Sequence, residues 1–250
     1  MSGGCASGMP APHRDRRDAC PTFFAFAFTL AAAALQYSSF MISARTWAES
    51  WFLHLILVAV AMLLWWWHPL AGVVGLLLVV FNINFFRDPE RTIPADPRAI
   101  VSPADGKVVE VRAAREEKFL GGEATLVAIF LNVFDVHVNR APIAGEIKLS
   151  EHVPGKFLNA MRAASALHNE HQILGLQDGE FRVTVRLIAG AIARRICMWT
   201  RPGTRVARGE RIGMIRYGSR AEIYLPAGCE VTVKVGERVK GGSSILGYRK

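Results

Sequence analysis

The sequence predicts a mainly β domain, sandwich- or barrel-like with few short helices, preceded by N-terminal hydrophobic membrane helices. Three observations carry that prediction. The 250 residues are 51% hydrophobic and only 20% charged, and a mean hydropathy of +0.23 is too high for a disordered chain. The apolar excess is concentrated in residues 22–86, which are nearly free of charge. From residue 87 onward the composition is that of a folded soluble domain, with short β-branched or alternating runs punctuated by Gly and Pro. The stretch 87–250 is close to the commonest domain size and can bury a core without disulfide staples.

Residues 1–21 are rich in Gly, Pro and charge and read as a disordered basic tail. Residues 22–42 are about the length of a membrane-spanning helix, longer than a signal-peptide core, and no disulfide framework follows, so the segment reads as retained. A polar link with Arg45 and Glu49 leads to a second apolar stretch, Trp51 to Phe86, broken at His68-Pro69. Proline cannot continue a helix without losing a hydrogen bond, so two helices of about 17 residues each are expected. A re-entrant hairpin and two crossings both fit, and Trp51, Trp65, Trp66 and Trp67 suit the headgroup level.

Strands are expected at 107–111, 125–132, 143–149, 181–188, 211–217, 221–225 and 231–235, and one short helix at 158–167. No repeat of fixed period and no low-complexity block occurs.

The chain carries 30 Lys+Arg against 21 Asp+Glu, a formal charge of +9. No zinc-finger, helix-turn-helix or aromatic RNA-binding signature accompanies it, so the basic charge is assigned to anionic membrane lipids and not to nucleic acid. Cys5, Cys20, Cys197 and Cys229 lack CxxC spacing and read as reduced thiols of a cytosolic compartment.

Familiar nucleophile and phosphate motifs are missing: there is no GxSxG, GxxxxGK[ST], HExxH or GxGxxG. His168 and His171 stand at i and i+3, but no third ligand has the right spacing, and no metal is expected. In Asn132 to Pro142, strand alternation would put Asp135, His137 and Asn139 on one face and Val136 and Val138 on the other. That face is either an ordinary solvent face or a converging carboxylate, imidazole and amide. Ser102-Pro-Ala-Asp-Gly106 reads as a tight turn. Asp105 is then a turn residue, or a carboxylate held rigidly enough to orient a histidine. Gly218-Ser219 and Gly242-Ser243 are ordinary turn signals, yet a Ser Oγ can reach the carbonyl of a preceding Gly when a turn is strained.

Five segments occur in a familiar order: Phe85 to Arg91, Ser102 to Lys107, Asn132 to Pro142, Ala189 to Arg195, and Gly209 to Arg220. With them the chain, over roughly 51–250, resembles phosphatidylserine decarboxylase proenzymes of the short bacterial type. The resemblance implies a catalytic domain at 87–250 that cuts itself between Gly218 and Ser219 into a large chain, 1–218, and a small one, 219–250. Ser219, which follows the family's Gly-Glu-Arg-Ile-Gly strand, becomes a covalent pyruvoyl cofactor, whereas Ser243 lies in a downstream turn. Asp105 matches the Asp of the self-processing triad of the longer members. His137 matches the first of their two histidines, and Arg140 stands where they carry the triad His. The short type commonly has Asn at the position of Asp135. Catalytic residues are thus Ser219, His137 and Asp105, with Asp135, Asn139 and Arg140 in support.

In the chemistry this implies, Ser219 attacks the Gly218 carbonyl, β-elimination releases the upstream chain, and hydrolysis leaves the pyruvoyl cap. Its ketone condenses with the amine of phosphatidylserine and draws electrons from the breaking C–CO₂ bond, yielding phosphatidylethanolamine. The enzyme would work against the cytoplasmic face of the membrane, and a homo-oligomer is left open. Two rivals stand beside this reading. One is decarboxylation of another serine-headgroup lipid, such as archaetidylserine. The other is a non-catalytic, membrane-tethered biotinyl-like adaptor, suggested by the Gly-rich hairpins 201–211 and 235–242.

Overall fold

The computed structural model describes residues 43–158, 168–190, 195–216 and 219–250, with Ser219 described through its backbone. The tail, the apolar segment 22–42 and the body of the helix expected at 158–167 lie outside the described residues.

Two apolar helices come first. Helix α1 is Ala44–Trp67, capped by Ser43, whose Oγ accepts from the Thr46 N–H, and α2 is Pro69–Phe85. The break falls at His68, as the Pro69 position requires, because proline suits a first helical turn and no later one. The expected polar link is instead the first turns of α1: Arg45 and Glu49 are helical. Thr46, Ser50 and His54 recur every fourth residue and form the buried stripe of α1, so polar residues here face protein. The two helices run antiparallel and close together because α2 has glycine where they touch. A Cβ on Gly72 would meet the Trp65 ring at 2.5 Å, and one on Gly75 the Ala61 Cα at 2.8 Å.

The rest is antiparallel β. Its strands are β1 Ala99–Val101, β2 Gly106–Glu116, β3 Gly122–Leu131, β4 Val138–Arg140, β5 Gly145–Val153, β6 His171–Asp178 and β7 Phe181–Ala189. They continue with β8 Ile196–Met198, β9 Arg205–Val206, β10 Arg211–Ile215, β11 Ser219–Pro226, β12 Glu230–Val231, β13 Arg238–Val239 and β14 Ile245–Tyr248. An eight-stranded sheet in the order β13-β2-β3-β11-β7-β6-β5-β9 curls into a half-barrel. Two three-stranded sheets, β4-β10-β8 and β1-β14-β12, accompany it.

The core follows the period of two. Val127, Ile129 and Leu131 of β3, Val183, Val185 and Leu187 of β7, and Ala221, Ile223 and Leu225 of β11 face inward together. The alternate residues Arg220, Glu222 and Tyr224 occupy the other face, where Glu222 accepts from Arg220, Arg186 and the Tyr224 hydroxyl.

Three expectations are corrected. The run 132–142 is a strand only at 138–140, because Asn132 to Asp135 closes a turn, with the Asp135 N–H donating to the Asn132 carbonyl at 3.0 Å. The run 231–235 stops at Val231, since Lys234 to Glu237 turns around Gly236 at φ +100°. Strand β6 was not among the expected runs. Its interior Gly175 weakens the pattern, yet the position needs glycine, as a Cβ there would lie 2.6 Å from the Phe119 ring.

Candidate active site

Strand order locates a break in the β structure. In the large sheet β3, β11 and β7 are neighbours, and in the small sheet β4, β10 and β8 are neighbours in the same order. Strand β3 leads into β4, β7 into β8, and β10 into β11, so the small sheet prolongs the large one. The last row before the break pairs Ser219 with Leu131 on one side and Ala189 on the other. Beyond it, Ile215 pairs with Ile196 and its N–H donates to the His137 carbonyl at 3.2 Å. The strand pairs β3/β4, β7/β8 and β10/β11 therefore flank one interruption, at sequence positions 132–137, 190–195 and 216–218. Each belongs to a segment that the sequence singled out.

The connection 132–137 is organised by its own polar groups. Asp135 Oδ2 accepts from the Asn132 N–H at 2.9 Å, while Oδ1 accepts from Arg238. The Asp135 carbonyl takes a hydrogen bond from His137 Nδ1 at 2.9 Å. A carbonyl can only accept, so Nδ1 carries the proton and Nε2 is the basic nitrogen. The His137 ring is fully buried, with Phe85 at the end of α2 only 4.3 Å away between ring centroids. Burial lowers the His137 pKa to about 4, and the nearby Arg87 charge pushes the same way. The imidazole is therefore neutral at pH 7 and able to accept a proton. The expected convergence by strand alternation is not what holds these groups, because Asp135 and His137 lie ahead of the strand, which begins at Val138; Val136 and Val138 are buried like His137 and Asn139.

Asp105 sits in a turn pinned from several sides. Ser102 Oγ donates to the Ala104 carbonyl at 2.6 Å, and the Arg140 N–H donates to the Pro103 carbonyl at 2.9 Å. Gly106, at φ +150°, presses on β3, where a Cβ would fall 2.2 Å from the Phe130 oxygen. One Asp105 oxygen accepts from Arg91 at 2.7 Å and the other from the Gly241 N–H at 2.8 Å. Burial raises the Asp105 pKa above the usual carboxylate value, against the opposing pull of Arg91. Asp105 and His137 are not hydrogen-bonded to each other; the carboxylate spends both oxygens on Arg91 and Gly241.

Arg140 has a different surrounding. Its guanidinium donates to Asp88 at 2.9 Å, to the Pro89 carbonyl at 3.0 Å and to the Gly209 carbonyl at 3.0 Å, and Asp88 also takes Arg211. An arginine cannot serve as a base, and this one is a buried structural cation. Asn139 is buried too. Its Nδ2 points to the Pro103 carbonyl at 3.4 Å, while its Oδ1 has no partner among the described residues. At the hairpin root a cavity of about 530 Å³ is lined by Ser43, Arg45, Glu90, Arg91, Arg140 and Arg211 among others.

Gly242-Ser243 forms a hydrogen-bonded turn: the Gly242 N–H donates to the Ser102 carbonyl at 2.8 Å, and the Ser243 N–H to Lys240 at 3.1 Å. His171 gives its Nδ1 to the Asn169 carbonyl at 2.8 Å, His168 is exposed, and no group of three metal-ligating side chains occurs among the described residues.

Sequence reasoning missed the partners of the site: Phe85 against His137, Arg87 on the Phe134 carbonyl, Asp88 under Arg140 and Arg91 on Asp105. All four come from Phe85-Phe-Arg-Asp-Pro-Glu-Arg91, a segment whose mixture of aromatic and alternating charge was the available signal.

Fold and site together define a β domain whose apolar helical hairpin packs against a buried histidine beside an interruption of the sheet. The family model for phosphatidylserine decarboxylase matches residues 78–247. The chain belongs to that family. A phosphatidylserine decarboxylase proenzyme of Symbiobacterium thermophilum is 48% identical over 200 residues, covering 80% of this chain and 93% of the relative. Proenzymes of the same description from Solibacter usitatus and Desulfotalea psychrophila are 46% and 44% identical, covering 76% and 69% of this chain and 90% and 81% of their own.

The covalent group that the family implies can be tested against this backbone. Residue 219 is the first of a strand paired on both edges. A cut before it leaves the new terminus held in the sheet, and a serine preceded by glycine is the chemistry such a group needs. The residues present fit it.

Proposed function

We propose that the chain is a self-processing, pyruvoyl-dependent decarboxylase that converts phosphatidylserine to phosphatidylethanolamine. The observation that carries this reading is that β3, β11 and β7, and then β4, β10 and β8, keep the same neighbours on either side of one interruption, with His137 buried beside it, in a chain of this family. In maturation Ser219 Oγ attacks the Gly218 carbonyl and the amide becomes an ester; elimination then releases 1–218 as a carboxylate, and hydrolysis with loss of ammonia completes the cap on 219–250. His137, neutral and with Nε2 basic, takes the serine proton. Asp105, fixed by Arg91 and Gly241, acts through the field it sets up and the turn it stiffens, and is needed mainly for maturation.

In turnover the pyruvoyl group supplies an electron sink for the breaking C–CO₂ bond. Around it the chain's own residues hold and move protons: His137 can return one to the reacting carbon, and the unpartnered Asn139 Oδ1 can accept from the substrate ammonium. The cavity at the hairpin root, lined by Arg45, Arg91, Arg140, Arg208 and Arg211 against Glu90 and Glu210, keeps a net positive lining that suits an anionic headgroup, and the apolar helices suit a position against the membrane, which we assign to the cytoplasmic leaflet. Membership of an enzyme family speaks against the adaptor reading.

Intact-mass analysis of the purified protein tests the assignment. Wild type should be two chains, 1–218 and 219–250, the smaller blocked at its amino end. Ser219→Ala should stay at 27.5 kDa and be inactive, while Ser243→Ala is cut normally. A cut before Ser243, or none, would sink it.

A further inference from the structure

The connection 132–137 turns one large apolar side chain outward. Phe134 is 65% exposed, although Asp135, Val136 and His137 beside it are buried. Three contacts fasten this loop to the end of α2. Phe81 meets the Phe134 ring edge-on with centroids 6.0 Å apart, Phe85 lies 4.3 Å from the His137 ring, and Arg87 donates to the Phe134 carbonyl at 2.6 Å. Phe81 and Phe85 are one turn apart on one helix. Phe134 therefore stands about 6 Å nearer the hairpin tip than His137, measured along the helix axis.

From that level to the tip both helices present open apolar surface, and on α1 one open strip continues to the domain side, where Phe52 is 63% exposed. In α1 the last buried residue is His54, and Leu55 is 60% exposed; in α2 Asn82 and Phe85 are buried, and toward the tip only Val79, Gly75 and Gly72 stay covered, while Val80 and Leu77 are 51% and 63% exposed. The contacts of Gly75 with Ala61 and Gly72 with Trp65 set a register that brings Leu55 and Ile56 beside Phe81. Trp51 and Trp47, both half-exposed, stand one and two turns to the domain side, the headgroup position that tryptophan favours. Arg45 and Arg87 mark the hairpin root, where anionic headgroups attract cations.

We propose that Phe134 enters the lipid leaflet with the hairpin and acts as an interfacial positioning residue, fixing the His137 loop at the headgroup plane so that phosphatidylserine is met within the leaflet. The proposal deepens, and rests on, the reading of the chain as a phosphatidylserine decarboxylase. From Leu55 to Trp67 helix α1 rises about 18 Å, against a hydrocarbon core of roughly 30 Å, so the hairpin enters from one side without crossing, and Trp66 and Trp67 sit deep at its tip and not at the headgroup level expected from sequence. The occupant of the apolar face is lipid because the face is continuous with the hairpin's and is bordered by tryptophan and arginine.

The test compares two substrates with the mature full-length enzyme, with rates expressed per mole of cut chain. One is long-chain phosphatidylserine in phosphatidylcholine vesicles; the other is a short-chain phosphatidylserine below its micelle-forming concentration. Phe134→Ser should lose at least tenfold on vesicles and stay within twofold on the dispersed substrate, while Phe134→Trp and Phe134→Leu keep both rates. Equal loss on both substrates, or no loss on vesicles, overturns the proposal. So does a Phe134→Trp enzyme that loses its vesicle rate, or a Phe134→Ser chain that changes oligomeric state in detergent and falls on both substrates, which would make the face a contact between copies. A wild type inactive on both substrates overturns the functional reading and this one with it; an active wild type with an unchanged Phe134→Ser ratio overturns this one alone.

Discussion

At the scale of the residue, His137 carries a measurable signature of its burial. Its pKa falls to about 4 in the fold against 6.5 outside it, so between those values the unfolded chain binds a proton that the folded chain does not. Stability is complete above pH 6.5 and drains away as pH falls toward 4, by about 3 kcal/mol when the change is complete. Asp105, whose pKa is raised, works in the opposite sense: its contribution is present at the acid end and is lost as pH rises through its folded value. Denaturant unfolding of the uncut Ser219→Ala chain at pH 7 and pH 4.5, with and without His137→Gln, isolates the imidazole. His137→Gln should narrow the gap between the two pH values by roughly 2 kcal/mol. An unchanged gap would mean that the ring is hydrated in solution.

At the scale of the element, the turn before β2 depends on a backbone position that only glycine fills. Gly106 combines φ +150° with the Phe130 oxygen 2.2 Å from any added Cβ, and Phe130 lies on a strand paired on both sides. The neighbour cannot yield. Gly106→Ala should cost at least about 2 kcal/mol and leave uncut precursor, because the displaced segment carries Asp105. Gly121→Ala is the control: φ is +70°, but nothing lies within 4 Å, so only the backbone term of about 1 kcal/mol is lost and cutting proceeds. Thermal unfolding and the fraction cut, read on the same samples, compare the two variants.

At the scale of the whole molecule, the proposed cut does not divide the fold. The piece 219–250 supplies β11, which pairs with β3 over eight residues and with β7 over six, and also β12, β13 and β14. Strand β14 bridges β1 and β12, and β13 closes on β2. Separating the pieces would expose the centre of the core and orphan both edges of β11. The mature protein should therefore elute as one particle containing both chains, which part only in denaturant. Chains that separate under native conditions would show that β11 is not held as described. The same connectivity would let the proposed cut fall without parting the sheets, because it lies between β10, held by β4 and β8, and β11, held by β3 and β7.

Local pattern alone determined much of this. The break at His68-Pro69, the inward period of β3, β7 and β11 and the turn holding Asp105 depend on residues within a few positions of one another, and local pattern records such relations; the order of five motifs added a family resemblance. Tertiary structure decided the rest. Whether 132–137 is strand or turn, what buries His137, and what Asp105 touches depend on groups brought from far away: Gly241 reaches Asp105 across 136 positions, and Arg140 reaches Asp88 across 52. The short strands β1, β4, β8 and β14 likewise exist because a partner aligns them, since runs of three or four residues carry too little pattern to declare themselves. Sequence named the groups that could do chemistry; only folding fixed which of them are charged, which are spent on one another and which stay exposed, because burial and partner distance set those properties and neither is a local quantity.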